Sequence, residues 1–194
     1  AGTFAGAGTL EARGGKGLNL GGGGGGGRIA VEFGTNSFGG VIRATGGTSN
    51  STGAGGAAGT IWTHASGAPY GELLVANGGQ VTAARTDLPD SLTVLAGNLR
   101  VLEHAVLGMA ALKTLDLTVT GDAEIAAGAA ISVDGGGYPI NQGPGSGGAS
   151  TIASGGSHGG RGGGLELPSG PTYGDLVMPS APGSGGGVSG VSKA

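Results

Sequence analysis

Leu10-Glu11-Ala12-Arg13-Gly14-Gly15 and Ile42-Arg43-Ala44-Thr45-Gly46-Gly47 are one phrase met twice, 32 residues apart. The phrase is apolar, any, small or apolar, any, Gly, Gly. It returns after another 32 residues as Leu74-Val75-Ala76-Asn77-Gly78-Gly79, and 57 residues later as Ile131-Ser132-Val133-Asp134-Gly135-Gly136. A second phrase keeps the same step, Arg28-Ile29-Ala30-Val31 recurring as Thr60-Ile61-Trp62-Thr63. A fixed period of this size points to stacked repeats, each burying its apolar edge against its neighbours.

Aligning the copies predicts two inward columns. Leu10, Ile42, Leu74 and Ile131 form one, and the smaller Ala12, Ala44, Ala76 and Val133 form the other. Glu11, Arg43, Val75 and Ser132 then point outward, as do Arg13, Thr45, Asn77 and Asp134. With strands stacked about 4.8 Å apart, Glu11 lies beside Arg43. Parallel crossovers are overwhelmingly right-handed, so the expected fold is an all-β, right-handed parallel β-solenoid (β-helix) with glycine-rich, polyglycine-II-like excursions. Two readings of the excursions stay open. Runs such as Gly21 to Gly27 and 53–59 either hydrogen-bond sideways as an ordered layer of extended backbone, or form mobile loops.

Along the chain, residues 1–134 read as solenoid coils with 32- and then 16-residue periods. Residues 135–194 read as a Gly/Ser/Pro-rich excursion packing on or extending them. Arg28 to Phe33 alternates with period two, as a half-buried strand does. The second strand of the third copy is expected at Leu92 to Leu95. Between 98 and 134 the pairs Leu99/Val101, Leu115/Leu117 and Ile131/Val133 suggest the shorter step. Helix competes over 99–112, where Leu99, Leu102, Val106, Met109 and Leu112 lie near helical spacing. Strands are preferred because Gly97, Gly108, Gly121 and Gly128 punctuate at turn intervals. Ala1 opens in mid-pattern, so the chain reads as a piece of a longer repeat protein.

Gly-Gly-Gly-Arg-Ile-Ala-Val at 25–31, Ala-Gly-Thr-Ile-Trp at 58–62 and Leu-Leu-Val-Ala-Asn-Gly-Gly at 73–79 resemble glycine-rich β-helix repeats. So does Ile-Ser-Val-Asp-Gly-Gly-Gly-Tyr at 131–138, followed by Gln142-Gly143-Pro144-Gly145. Such repeats occur in large secreted or cell-surface bacterial proteins, often adhesin-like. The resemblance implies a pectin-lyase-like β-helix and an extracellular or cell-surface location. It brings no catalytic residues, since these repeats are usually scaffold.

Composition narrows the function classes. Glycine supplies 51 of 194 residues, far above the usual ~7%. Eight prolines and no strict Gly-X-Y period exclude collagen. A net charge of -3 with 37% apolar residues argues against full disorder. Nine scattered Lys and Arg give no nucleic-acid footprint. No apolar run approaches a membrane span, and cysteine is absent, which removes disulfides and thiolate sites.

Catalytic and cofactor chemistry finds little footing. A glycan lyase or hydrolase needs clustered carboxylates, and only Asp122/Glu124 and Asp87/Asp90 fall near one another. His64, His104 and His158 are not ligand-spaced, Gly135 to Tyr138 is no calcium-repeat match, and Gly21 to Gly27 lacks the Lys-Ser/Thr of a phosphate loop. Ser157-His158 has no orienting acid nearby in sequence and reads as a surface loop. Thr118-Val119-Thr120 is a lone Thr-x-Thr, short of an ice-binding ladder. The reading is therefore no enzyme, no cofactor and no metal. Candidate surface contacts are Trp62, His64, Tyr70, Tyr138 and Tyr173, with Trp62 at an outward position where a sugar or a partner could stack. Partners are neighbouring repeats or copies of the same protein, or cell-surface glycans. The leading expectation is a structural or adhesive scaffold that self-associates end to end. The alternative is a carbohydrate-binding or degenerate glycan-active β-helix.

Overall fold

A computed structural model describes residues 2–50, 53–89 and 94–190. Among them are thirteen short strands and no helix. The first copy supplies β1 (Thr3–Gly6), β2 (Thr9–Glu11) and β3 (Arg28–Phe33). The second supplies β4 (Thr35–Phe38), β5 (Val41–Arg43) and β6 (Thr60–Ala65). Then come β7 (Gly71–Ala76), β8 (Thr86–Leu88), β9 (Val94–Leu102) and β10 (Val106–Met109). Three short strands finish the series: β11 (Leu117–Val119), β12 (Ala123–Ile125) and β13 (Ala130–Ile131). Segment 99–112 is thus strand, turn and strand, not helix. Leu92 and Thr93, from the strand expected at Leu92 to Leu95, lie outside the described residues.

Copies one and two pair in parallel at the 32-residue step. Thr3 faces Thr35, Leu10 faces Ile42 and Arg28 faces Thr60. Glu11 and Arg43 meet at 3.4 Å on an exposed surface, a pair worth at most about 1 kcal/mol. Phe4 stacks on Phe38 with ring centroids 4.5 Å apart. Ile29, Ala44 and Ile61 form a small core, with Ala12, Val31, Ile42 and Leu74 packed against it.

The single parallel β-solenoid is overturned at the third copy. After β6 the chain turns back through Ser66 and Gly67, whose φ of 92° suits a residue without Cβ, and β7 runs antiparallel to β6. Leu74 therefore faces Ile61 and not Ile42. The strands fall into four separate small sheets, and the largest, β11-β9-β7-β6-β3 with β12 beside β9, is mixed. Later strands pair at other steps: Leu117 with Val94, Ala123 with Leu99, Val106 with Ala130. The inward columns fail with it, since Leu10, Ile131 and Val133 are 36%, 39% and 51% exposed.

The hairpin also changes which face is buried. On β3 and β6 the buried apolar residues are Ile29 and Ile61, which share a face because they are register partners. On β7 and β9 the large buried residues are Leu73, Val75, Leu99 and Val101, which belong to the opposite face. Val75 and Asn77, expected outward, are 0% and 1% exposed. Side chains alternate along a strand, so a one-residue change of phase inverts the whole set.

The glycine tracts next to β2, β3, β5 and β6 are hydrogen-bonded to one another. Gly14 and Gly17 donate to the carbonyls of Thr45 and Thr48, and Gly23 and Gly26 to those of Ala54 and Ala57. Gly24 and Gly27 donate to Gly15 and Ala12, while Gly47, Gly56 and Gly59 donate to Gly24, Gly47 and Ala44. Within most of these segments the bonds recur every three residues, the period of an extended polyproline-II course. The same period appears in what a side chain would meet. A Cβ on Gly53, Gly56 or Gly59 would strike the carbonyl of Gly21, Gly24 or Gly27, and one on Gly23 or Gly26 that of Gly47 or Ala44. Gly25, between them, faces open space.

The chain forms two compact units, residues 1–108 with 115–132, and residues 109–114 with 133–194. Apart from Met109 at the end of β10, the described part of the second unit holds no paired strand beyond the isolated bridge of Ser150 with Ser189. Its glycine-rich segments still bond to one another: Tyr138 N–H to Gly183, Gly185 N–H to Gln142, Gly187 N–H to Ser154 and Ser157 N–H to Gly145. Buried serine hydroxyls complete the set. Ser154 accepts from the Gly148 N–H at 2.7 Å, and Ser157 donates to the Gly170 carbonyl at 2.7 Å.

Candidate functional site

In the first unit, Trp62, His64 and Tyr70 belong to the β6–β7 hairpin. Trp62 faces Ala30 on one side and Leu73 on the other, and is half-buried. Its indole lies over Gly71, where a Cβ would overlap the ring. The absent side chain at 71 is thus what seats the tryptophan. His64, two residues on, shares its face. Its Nε2 donates to the Ala68 carbonyl at 3.0 Å, and its Nδ1 stands 3.8 Å from the Glu32 carboxylate, with which it pairs only when protonated. Tyr70 is half-buried, and its backbone lies against Gly97.

In the second unit, Tyr138 covers Gly143, whose φ is 94°. Tyr173 is half-buried, and its hydroxyl donates to the Pro182 carbonyl. Its oxygen lies 2.8 Å from Ser184 Oγ, which accepts the Gly145 N–H at 2.8 Å. The His158 ring meets Tyr173 edge to face at 4.7 Å. A pocket of about 450 Å³ opens beside them, lined by His158, Thr172, Tyr173, Asp175, Leu176 and Pro179. His158 Nε2 is buried there without a hydrogen-bond partner, against Gly174. Ser157 is 1% exposed with its hydroxyl bonded to Gly170, which corrects the surface-loop reading of Ser157-His158.

The Asp175 carboxylate accepts the N–H groups of Met178 and Val177, both at 2.7 Å, and these bonds hold it below the usual carboxylate range. The turn so fixed presents Leu176, Val177 and Met178 to solvent. Glu166 is lowered in the same way, by the Ser150 hydroxyl and then by the Ile152 N–H.

Elsewhere carboxylates stand in ion pairs or accept single hydrogen bonds, as Glu72 does from Asn98 and Glu103 from the Gly78 N–H. Asp87 pairs with Arg85 at 2.6 Å and Glu124 with Arg100 at 2.8 Å. Asp90 lies outside the described residues. Among the described residues no three His, Asp or Glu side chains come together to hold a metal ion, and no helix is long and apolar enough to cross a membrane.

Sequence reasoning missed Asn77. Its Oδ1 accepts the Gly46 N–H at 2.9 Å, and its Nδ2 donates to the carbonyls of Gly56 at 3.3 Å and Gln80 at 3.0 Å. One buried carboxamide therefore ties β7 to two glycine segments. The signal was an amide standing where the earlier copies carry Arg13 and Thr45. No family model, curated protein or solved structure matches the chain, so these contacts carry the functional reading by themselves.

Proposed function

We propose that the chain is a structural or adhesive module of an extracellular or cell-surface protein, joining neighbouring copies or repeats through exposed strand edges. The observation that carries this reading is the glycine layer of the first unit. Its stiffness comes from backbone hydrogen bonds that need no large core. Beside it, among the described residues, β3 ends its sheet. The odd residues of β3 bond to β6, as Gly27 and Phe33 do in accepting the Thr60 and Ser66 N–H groups. The backbone groups of Arg28, Ala30 and Glu32 therefore turn to the open edge, and such edges recruit further strands.

Concentration-dependent assembly tests it, followed by sedimentation. Proline is tolerated where a strand N–H faces away from its sheet. Ala30→Pro is expected to keep the far-ultraviolet spectrum and abolish assembly. A chain that stays monomeric at high concentration, or an Ala30→Pro protein that assembles as before, contradicts the proposal.

A carbohydrate-binding face is the rival reading, supported by the half-buried Trp62 sharing a sheet face with His64. It requires saturable binding on a glycan array that is lost in Trp62→Ala. An array with no saturable binding removes it.

A further inference from the structure

We infer that the groove beside β5 is a docking site for an extended peptide that adds to β5 as a parallel strand, supplied by another chain carrying the apolar-any-small-any-Gly-Gly phrase. The groove measures about 520 Å³, within the range of ligand pockets. Ile42, Ala44, Leu74 and Leu102 give it apolar walls, and Arg13 and Glu103 stand among its polar lining. It occupies the place a third stacked copy would fill, because Leu74 has left the Leu10–Ile42 file to pair with Ile61.

The backbone of β5 is prepared for a partner on that side. Val41 donates to the Gly8 carbonyl and Arg43 accepts from Ala12, so the odd residues are bound to the first copy. Alternation turns the even residues the other way. Two of them have found substitutes: the Ala44 carbonyl accepts from Gly59, and the Gly46 N–H donates to the Asn77 side chain. Ile42, two residues earlier on that side, faces the groove, and among the described residues β5 has no second neighbouring strand.

The β2–β5 ladder sets the chemistry of the occupant. Continuing its register places an apolar residue opposite Ile42 and an acidic one opposite Arg43, as Glu11 already is. Strand addition of this kind draws affinity from main-chain bonds and selectivity from alternate side chains. The four copies of the phrase in this chain are already engaged. Three lie in or against β2, β5 and β7, and the fourth continues from β13, with the Ser132 N–H on the Leu107 carbonyl. None of the four is free to fill the groove, and the occupant proposed is a second chain. This inference does not depend on assembly through β3.

The probe is the acetylated, amidated peptide Leu-Glu-Ala-Arg-Gly-Gly, titrated into the full 194-residue chain. In the parallel register its acetyl carbonyl accepts the Ile42 N–H, and its Glu N–H donates to the Ile42 carbonyl. Saturable binding is expected, with the Ile42 and Leu74 amide resonances shifting. N-methylation of the peptide's Glu nitrogen should weaken it at least about tenfold, a loss of ~1.4 kcal/mol. The inference is overturned by no binding at millimolar peptide, or by equal binding of the methylated or scrambled peptide. Shifts confined to β3 would overturn it as well, by moving the site to the other edge. Because the peptide carries the change, a misfolded variant cannot blur the result.

Discussion

Gly25 and Gly26 are neighbours of identical chemistry in different surroundings. A Cβ on Gly26 would meet the Ala44 carbonyl and the Gly59 nitrogen, 2.5 Å away, whereas one on Gly25 has nothing within 4 Å. Gly26→Ala should therefore cost about 2–3 kcal/mol, as overpacking does. Gly25→Ala should be neutral or gain up to about 1 kcal/mol by stiffening the unfolded chain. Urea unfolding of the two variants measures both. Equal tolerance would mean that the glycine run is not packed against its neighbours. Composition alone did not separate the two residues, because the difference lies in what the 44–48 and 53–59 segments bring to each.

At the scale of elements, β7 depends on the Asn77 carboxamide that ends it. Asn77→Ala leaves the buried Gly46 N–H without its partner and takes one donor each from the Gly56 and Gln80 carbonyls, of which Gly56 keeps the Gln80 Nε2 at 3.2 Å. The expected loss is about 3 kcal/mol, given roughly 1–3 kcal/mol for each group left unsatisfied. Thermal unfolding checks it, and an unchanged midpoint would remove Asn77 as the link. The 32-residue step was legible as strand register for Leu10 with Ile42 and for Arg28 with Thr60. It misled at Leu74 for a physical reason. Leu73, Leu74 and Val75 are all apolar, so alternation did not choose a face, and the turn at Gly67 did. In the later strands the 16-residue spacing of leucines and valines proved to be a pattern in the sequence without being a pairing register. Trp62 was expected at an outward position and is half-buried, because its seat on Gly71 required the antiparallel neighbour.

For the whole molecule, the two units answer differently to acid. In the second unit Glu166 and Asp175 hold backbone N–H groups and titrate below the ordinary range. A depressed carboxylate contributes stability above its unfolded value, about 4, and that contribution is lost as pH falls through the lower folded value. Amides of Ile152, Val177 and Met178 should keep their protection near pH 6 and lose it below about pH 4, and Glu166→Gln should remove the acid step at Ile152 alone. Protection independent of pH at all three would contradict the assigned bonds. In the first unit the glycine layer joins chain segments through backbone groups that carry no titratable charge, so its order should persist through the same range.

Hydrogen exchange at single-residue resolution tests that order most directly. The amides of Gly14, Gly23, Gly26, Gly47, Gly56 and Gly59 each have a named carbonyl partner. They should exchange as slowly as the amides bonded across the β3–β6 ladder. Exchange of these glycines at the rate of an unstructured peptide, with that ladder still protected, would show loops in place of a bonded layer.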